Sequence, residues 1–341
     1  LFIRHPTLQK MSVMSMKVKV QNSTYSIKMN PALCKAYNAD FDGDEMNIFC
    51  LSNYKSISEA IYINTPLNSI ISPQNNEPII YPSQDCISGL YILTHKNKKI
   101  SKKMFYNCLN IVNKNIKDYE NIKIDGKVLF SLTLPKNFNF IYNNIKIKNG
   151  ILINGYVDKK IVLKIIKTIL NVYNKYVVFE FIYNIQLIIN EYLRTIELSI
   201  GYDDCFTSLN NKNKLIIKNN FSLIINNNNS FIKIIDSGSK GSNINILQIL
   251  LRVGQQYIRN KKIEKLFFLN DDSYCYNSFS NGLNCYEFFY HSQSGREGVI
   301  NTNIRTPSIG YIQRQLGKYL EELIVDYNGN NIFNKYIFKK N

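Results

Sequence analysis

The stretch Asn38-Ala39-Asp40-Phe41-Asp42-Gly43-Asp44-Glu45-Met46-Asn47 places four acids, Asp40, Asp42, Asp44 and Glu45, within six residues. The 341-residue chain carries 42 Lys and Arg against 25 Asp and Glu, a formal net charge of +17, so the cluster runs against the composition around it. On an extended backbone a spacing of two puts Asp40, Asp42 and Asp44 on one face. Gly43 lets the chain bend tightly, so that the three carboxylates can converge. Like charges held that close repel, and burial would raise their pKa values further. A hard divalent cation relieves the repulsion. Mg2+ takes oxygen ligands and completes its octahedron with waters and substrate phosphates.

Two other readings compete. A calcium loop aligned on Gly43 would use Asn38, Asp40 and Asp42 but needs Glu at its twelfth position, where Phe49 stands. An acidic turn in water is the blander choice. Against it, Ala39, Phe41, Met46, Ile48 and Phe49 flank the acids and imply a loop held against a core.

Read as YNADFDGDEMN, Tyr37 to Asn47 resembles the metal-binding loop of the largest subunit of multisubunit DNA-dependent RNA polymerases. The eukaryotic, archaeal and large-DNA-virus branch fits better than the bacterial one. The resemblance implies that Asp40, Asp42 and Asp44 hold a catalytic Mg2+ and that Asn38 helps read the sugar of the incoming nucleotide. Arg4-His5-Pro6-Thr7-Leu8 resembles the family's Arg-x-Pro-Thr-Leu segment, which implies a ribose contact for Arg4; His5 departs from the commoner glutamine. The implied fold of this part is a double-psi β-barrel. The implied reaction is template-directed RNA synthesis from ribonucleoside triphosphates by two-metal nucleotidyl transfer, with a second Mg2+ arriving on the triphosphate. The implied partners are the second-largest subunit, other polymerase subunits, DNA template and RNA transcript, in a nucleus or a viral factory or virion. The alternative is a non-catalytic nucleic-acid-binding or scaffold subunit of a degenerate polymerase.

Elements must position these groups. Lys17 to Val20 and Ser26 to Met29 alternate polar and apolar as half-buried strands do, with a turn at Asn22-Ser23. A helix is expected over Ser56 to Ile63, ended by Pro66, then a turn-rich loop from Ile70 to Pro78 and a short helix over Gln84 to Leu90, with Asp85 as a capping or structural acid. Lys146 to Val157 reads as a hairpin about Asn149-Gly150. Between 159 and 195 apolar residues such as Ile161, Ile165, Ile169 and Val172 recur at helical spacing and belong to a core. Leu198 to Asp204 resembles the family's segment near the pore beneath the active site. Asn210 to Ser230 is low-complexity, and only about thirty residues separate Asp204 from Asp236, so the family's funnel hairpin is expected to be shortened.

Ser237-Gly238-Ser239-Lys240-Gly241-Ser242 offers two glycines, three hydroxyls and a lysine. It reads either as a phosphate-contacting turn through Lys240 or as a Gly-rich approach to a helix with structural caps. The same block occurs in the family, followed by residues matching Gln248 and Val253 to Gln256.

Asn284 and Glu287 make a capping box in which Asn replaces Ser or Thr. Glu287 to Gly298 then resembles the start of the polymerase bridge helix, expected to continue through Thr302, Arg305, Thr306, Gly310, Tyr311 and Arg314 to about Glu322. At ~1.5 Å per residue such a helix is about 60 Å long, enough to cross a cleft for duplex DNA. Arg296, Arg305, Gln313, Arg314 and Lys318 suit a nucleic-acid backbone. The resemblance places Thr306 against the templating base pair, with Arg305, Pro307 and Tyr311 beside it. Pro307 departs from the usual Ala or Ser, and a proline inside a helix costs ~3 kcal/mol or more and favours a kink. His291 reads as a packed or capping residue.

The expected class is α+β in four parts: 1–50 the barrel part with the metal loop, 51–208 a pore-like domain, 209–281 a shortened funnel region, and 282–341 the bridge helix with the start of a cleft domain. Seven cysteines without a Cys-x-x-Cys pair fit a reducing, intracellular setting, with Cys34 and Cys50 as small core residues. The apolar region 161–189 is broken by Lys164, Lys167, Asn171, Asn174, Lys175 and Glu180 and cannot span a bilayer. Leu1 falls in mid-motif, which reads as a fragment of a longer polypeptide lacking the clamp before it and the trigger loop after it.

Overall fold

The computed structural model describes residues 1–22, 25–95, 98–115, 124–196, 198–206, 229–264, 273–321, 323–325 and 331–332. These form a mixed α and β chain with small antiparallel sheets, in two compact units: residues 1–204 with 229–242, and 243 onward. The funnel expectation over 209–228 lies outside the described residues.

The first sheet is the one that matters for the acidic loop. Strand β1 (Phe2–Ile3) lies between β2 (Val13–Met14) and β3 (Asn47–Ile48), with Phe2 opposite both Met14 and Ile48. Helix α1 (Cys34–Tyr37) precedes the loop, and helix α2 (Tyr54–Tyr62) follows, N-capped by the Asn53 side chain. The expected strands over Lys17 to Val20 and Ser26 to Met29 are absent. Those residues run as irregular chain beside an apolar cavity of about 790 Å3, and Val18 and Val20 are 72% and 82% exposed. Alternation marks a face that a sheet could bury, but it forms a strand only where a neighbouring strand pairs with it, and among the described residues none does.

The large core comes from α3 (Asp85–Thr94), α4 (Lys102–Ile111), α5 (Gly126–Ser131), α6 (Lys159–Val172) and α7 (Lys175–Leu193). Helix α6 starts where Asp158 accepts the Ile161 N–H and buries Val162, Ile165, Ile166 and Ile169 on one stripe. Of the four expected core residues Ile165 and Ile169 lie on it, Ile161 is half-buried, and Val172, at the last position of the helix, is exposed. Each such side chain contributes ~1.5–3 kcal/mol of hydrophobic burial. Helix α7 starts at the Asn174 cap and lies so close to α3 that a Cβ on Gly89 would meet Ile189 Cγ2 at 2.6 Å. Strands β4 (Phe140–Tyr142), β5 (Ile145–Lys148) and β6 (Ile151–Asn154) form the second sheet, in that order. The expected turn is present: Asn149 and Gly150 take φ 49° and 73°, the left-handed pair a two-residue hairpin needs. Asp85 sits in the first turn of α3, where its charge suits the helix dipole, while Gln84 occupies the capping position.

In the second unit the chain is helical without a break from Cys285 to Leu320. The Asn284–Glu287 capping box forms as expected. Residues Asn301–Arg305 make a wider π turn that ends two positions before Pro307. Proline has no N–H to give to the carbonyl four residues back, and a local π turn accommodates that loss. At ~1.5 Å per residue the helix is about 54 Å long, a little shorter than expected.

Candidate metal centre

Asn38 closes α1 in the left-handed region, φ 50° and ψ 41°, with its N–H bonded back to the Cys34 and Lys35 carbonyls. Asparagine tolerates that conformation better than most residues, and it turns the chain out of the helix into the acidic loop. Tyr37, just before it, is fully buried and packs edge-to-face on Phe2 of β1, centroids 5.3 Å apart. At the far end β3 pairs with the same strand. The loop is therefore clamped to β1 at both ends, and Gly43 at φ 122° supplies the tight bend between Asp42 and Asp44.

The bend gathers the acids. Asp40, Asp42 and Asp44 each offer one carboxylate oxygen, and these three atoms lie within 4.8 Å of one another. Asp40 and Asp42 are exposed and Asp44 half-buried. Asp44 Oδ2 accepts the Asp40 N–H at 3.0 Å and Arg4 Nε at 2.7 Å, while Oδ1 accepts Arg4 Nη2 at 3.1 Å. This two-pronged pair holds the Asp44 carboxyl below the usual carboxylate range, and Asp44 in turn raises the Arg4 guanidinium. Asp42 moves the other way: a hydrogen bond to the Asp40 carboxyl, then that carboxyl's charge, raise its pKa. The donor set is all oxygen, hard and anionic, which fits Mg2+ and leaves exposed faces for water or phosphate.

The loop differs from expectation in one respect. Ala39 and Met46 pack against the core, but Phe41, Ile48 and Phe49 are exposed, Phe41 by 67% and Phe49 by 59%. Three of the five flanking apolar residues therefore face outward. Cys50 is also exposed, so it is not a core residue as expected, whereas Cys34 is buried.

Of the other residues singled out, Arg4 stands beside the trio and Asn38 is exposed at its edge. In the Ser237–Ser242 block the hydroxyls of Ser237 and Ser239 both donate to the Ile234 carbonyl, at 2.7 and 3.2 Å, and Ser239 Oγ lies 2.7 Å from Ser88 Oγ. Those two hydroxyls tie the turn to α3, and Lys240 is left exposed. Arg296, Arg305, Thr306, Pro307, Tyr311 and Arg314 all lie exposed on the long helix of the second unit. The Thr306 hydroxyl donates to the Thr302 carbonyl one turn back. His291 is packed, its Nδ1 3.2 Å from Gln256 Oε1 and its ring edge-on to Phe279.

Two positioning residues were not found from sequence. Gln9 Nε2 donates to the Ala36 carbonyl at 2.7 Å and fastens the Arg4 segment to α1. Glu287 was legible only as half of a capping box. Its buried carboxylate also accepts Tyr276 N–H at 2.6 Å, Asn277 N–H at 3.0 Å and Asn277 Nδ2 at 2.9 Å. Burial alone would raise its pKa, but these hydrogen bonds outweigh burial and lower it.

Four consecutive stretches match family descriptions of one polymerase subunit: RNA polymerase Rpb1 domain 2 over residues 1–65, domain 3 over 69–205, domain 4 over 195–284 and domain 5 over 282–339. The chain belongs to the family of RNA polymerase largest subunits. Similar curated proteins include the probable DNA-directed RNA polymerase II subunit RPB1 homolog of Invertebrate iridescent virus 6, 26% identical over 96% of this chain and 41% of that protein. DNA-directed RNA polymerase subunit 1 of Acanthamoeba polyphaga mimivirus is 29% identical over 96% of this chain and 26% of its own length. Subunit Rpo1N of the archaeon Methanothermobacter thermautotrophicus is 27% identical over 100% of this chain and 49% of its own. The chain thus spans a quarter to a half of these largest subunits. No helix among the described residues is long and apolar enough to cross a membrane.

Proposed function

We propose that this chain supplies the metal-bearing part of the catalytic centre of a DNA-directed RNA polymerase, with Asp40, Asp42 and Asp44 holding Mg2+. The observation that carries the reading is the convergence of their three carboxylate oxygens within 4.8 Å. When bound, Mg2+ would make the RNA 3′-hydroxyl more acidic and, with a second ion on the triphosphate, steady the charge on the departing pyrophosphate.

The chain's own residues have distinct tasks. Arg4 neutralises part of the trio through Asp44, and releasing that contact frees its guanidinium for the ribose of an incoming nucleotide. Asn38, held exposed by its left-handed backbone, presents an amide to the same sugar. Arg296, Arg305 and Arg314 contribute positive charge to a nucleic-acid backbone, Lys240 supplies a further channel contact, and Thr306, Pro307 and Tyr311 form the template-facing surface. On this reading the first sheet is part of a double-psi barrel and the long helix is the bridge helix. The division at 1–50, 51–208, 209–281 and 282–341 separates barrel, pore, funnel and cleft parts. The partners are the second-largest subunit, other polymerase subunits, template, transcript and ribonucleoside triphosphates, in a nucleus or a viral factory or virion.

The test is Asp42→Asn in a polymerase reconstituted with its partner subunits. Loss of RNA synthesis with retained assembly and DNA binding is expected. Undiminished synthesis would overturn the reading, and a wild-type complex that assembles and binds DNA but never extends RNA would establish the scaffold alternative.

A further inference from the structure

A second cavity, about 680 Å3, lies in the first unit, and all of its lining residues fall between Glu77 and Lys167. One wall is the face of α6 that carries Lys160, Lys164 and Lys167; the facing wall is the β4–β5 turn with Tyr142 and Asn143. The Lys164 ammonium sits 3.4 Å from the centroid of the Tyr142 ring. Lys167 Nζ donates to the Asn76 carbonyl at 3.2 Å. Both contacts are to neutral groups, so they fix the two ammonium groups without cancelling their charge. The hydrogen bond from Lys164, then its charge, with Lys160 adding to it, lower the pKa of the Tyr142 phenol, which marks a positive field there. Two carboxylates also face the cavity, Glu77 and Asp158, but Asp158 already caps α6 by accepting the Ile161 N–H at 2.9 Å.

We propose that the face formed by Lys160, Lys164 and Lys167 with Tyr142 docks an extended acidic segment of a partner protein. The lysine positions i, i+4 and i+7 rise along the helix by ~6 and then ~4.5 Å. Alternate side chains of an extended peptide stand ~6.7 Å apart on one face, so acids at alternate positions each meet a lysine within the reach of its flexible stem. Half-buried Ile161 and Leu163 line the same cavity, together with buried Pro78 and Ile145. That apolar wall packs against the aliphatic parts of a peptide and offers nothing to a sugar-phosphate backbone. The outer strand β4, bordering the cavity at Tyr142, adds an edge along which an extended chain can lie. This inference does not rest on the metal centre.

The experiment uses the full chain and a fluorescent peptide of alternating Glu and Ile, followed by anisotropy at low salt. A single-stranded oligonucleotide of equal net charge is the comparison probe. Binding of the peptide, weakened at least tenfold by Lys160→Glu or Lys164→Glu and left within twofold by Lys103→Glu on α4, is the expected result. Lys164→Met keeps the stem against Tyr142 and guards against misfolding, checked by circular dichroism; it should weaken binding at least threefold. The proposal is overturned if the peptide does not bind, if all the variants bind as well as the parent, or if the oligonucleotide binds in its place and loses affinity with the same substitutions.

Discussion

Arg4 and Asp44, forty residues apart in sequence, meet side by side: Nε to Oδ2 at 2.7 Å and Nη2 to Oδ1 at 3.1 Å. The central strand β1 ends just before Arg4, and β3 begins three residues after Asp44. The sheet therefore delivers a guanidinium to the one aspartate of the trio that is half-buried. Removing that guanidinium in Arg4→Ala should let the Asp44 pKa rise toward the ordinary ~3.9. Because the folded value is depressed, the pair stabilises the fold above the unfolded pKa, and the contribution is lost as pH falls through the folded one. Arg4→Lys keeps a charge without the fork and should fall between. Carboxyl 13C NMR titration reads all three; an unmoved Asp44 in Arg4→Ala would remove the assignment.

Asp42 carries the opposite shift, raised by the hydrogen bond and charge of Asp40. A proton therefore competes with a cation for the trio. Mg2+ affinity, measured by calorimetry on the full chain, should climb with pH through the Asp42 pKa and level off above it. Asp40→Asn removes the charge, lowers the Asp42 pKa and weakens Mg2+ at least tenfold. An affinity indifferent to both pH and Asp40 would speak against a shared site.

Glu287→Gln is isosteric but turns an amide toward N–H donors of Tyr276 and Asn277 that now point at a carboxylate. Leaving a buried donor without an acceptor costs about 1–3 kcal/mol, and these part-buried donors fall at the lower end. Urea unfolding should show that loss, and the wild type should show it progressively in acid as pH falls through the depressed Glu287 pKa. Equal midpoints for both proteins would refute it.

Pro307→Ala restores an N–H inside the long helix and removes the cause of the π turn at Asn301–Arg305. Hydrogen exchange should slow around 301–307, with local stabilisation of up to ~3 kcal/mol. In the reconstituted polymerase a change in elongation and pausing is expected; unchanged translocation would mean that the turn is a passive feature.

Gly126 has no room for a side chain: a Cβ there would meet the Leu93 carbonyl oxygen at 1.9 Å. Gly126→Ala forces α5 off α3 at a cost of about 1–3 kcal/mol or more, visible as a lower denaturant midpoint. A variant as stable as the parent would show that the two helices are not so closely packed.

The parts read correctly from sequence are those set by near neighbours. The Asn149-Gly150 hairpin, the Ile165 and Ile169 part of the α6 stripe and the Asn284–Glu287 cap each depend on residues within a few positions of one another. The strand assignment over Lys17 to Val20 failed because a strand needs a second strand, and no alternation within four residues can supply one.

From the sequence alone came the aspartate spacing, the glycine that bends it, the metal chemistry these imply and the resemblance to polymerase largest subunits. Tertiary structure alone decided which aspartate takes Arg4, which of the trio faces water, and that Glu287 holds four donors instead of one. Spacing acts through local geometry, whereas those contacts depend on chain segments brought together by β1 and by the loop before the long helix. Their energies exist only once that packing has formed.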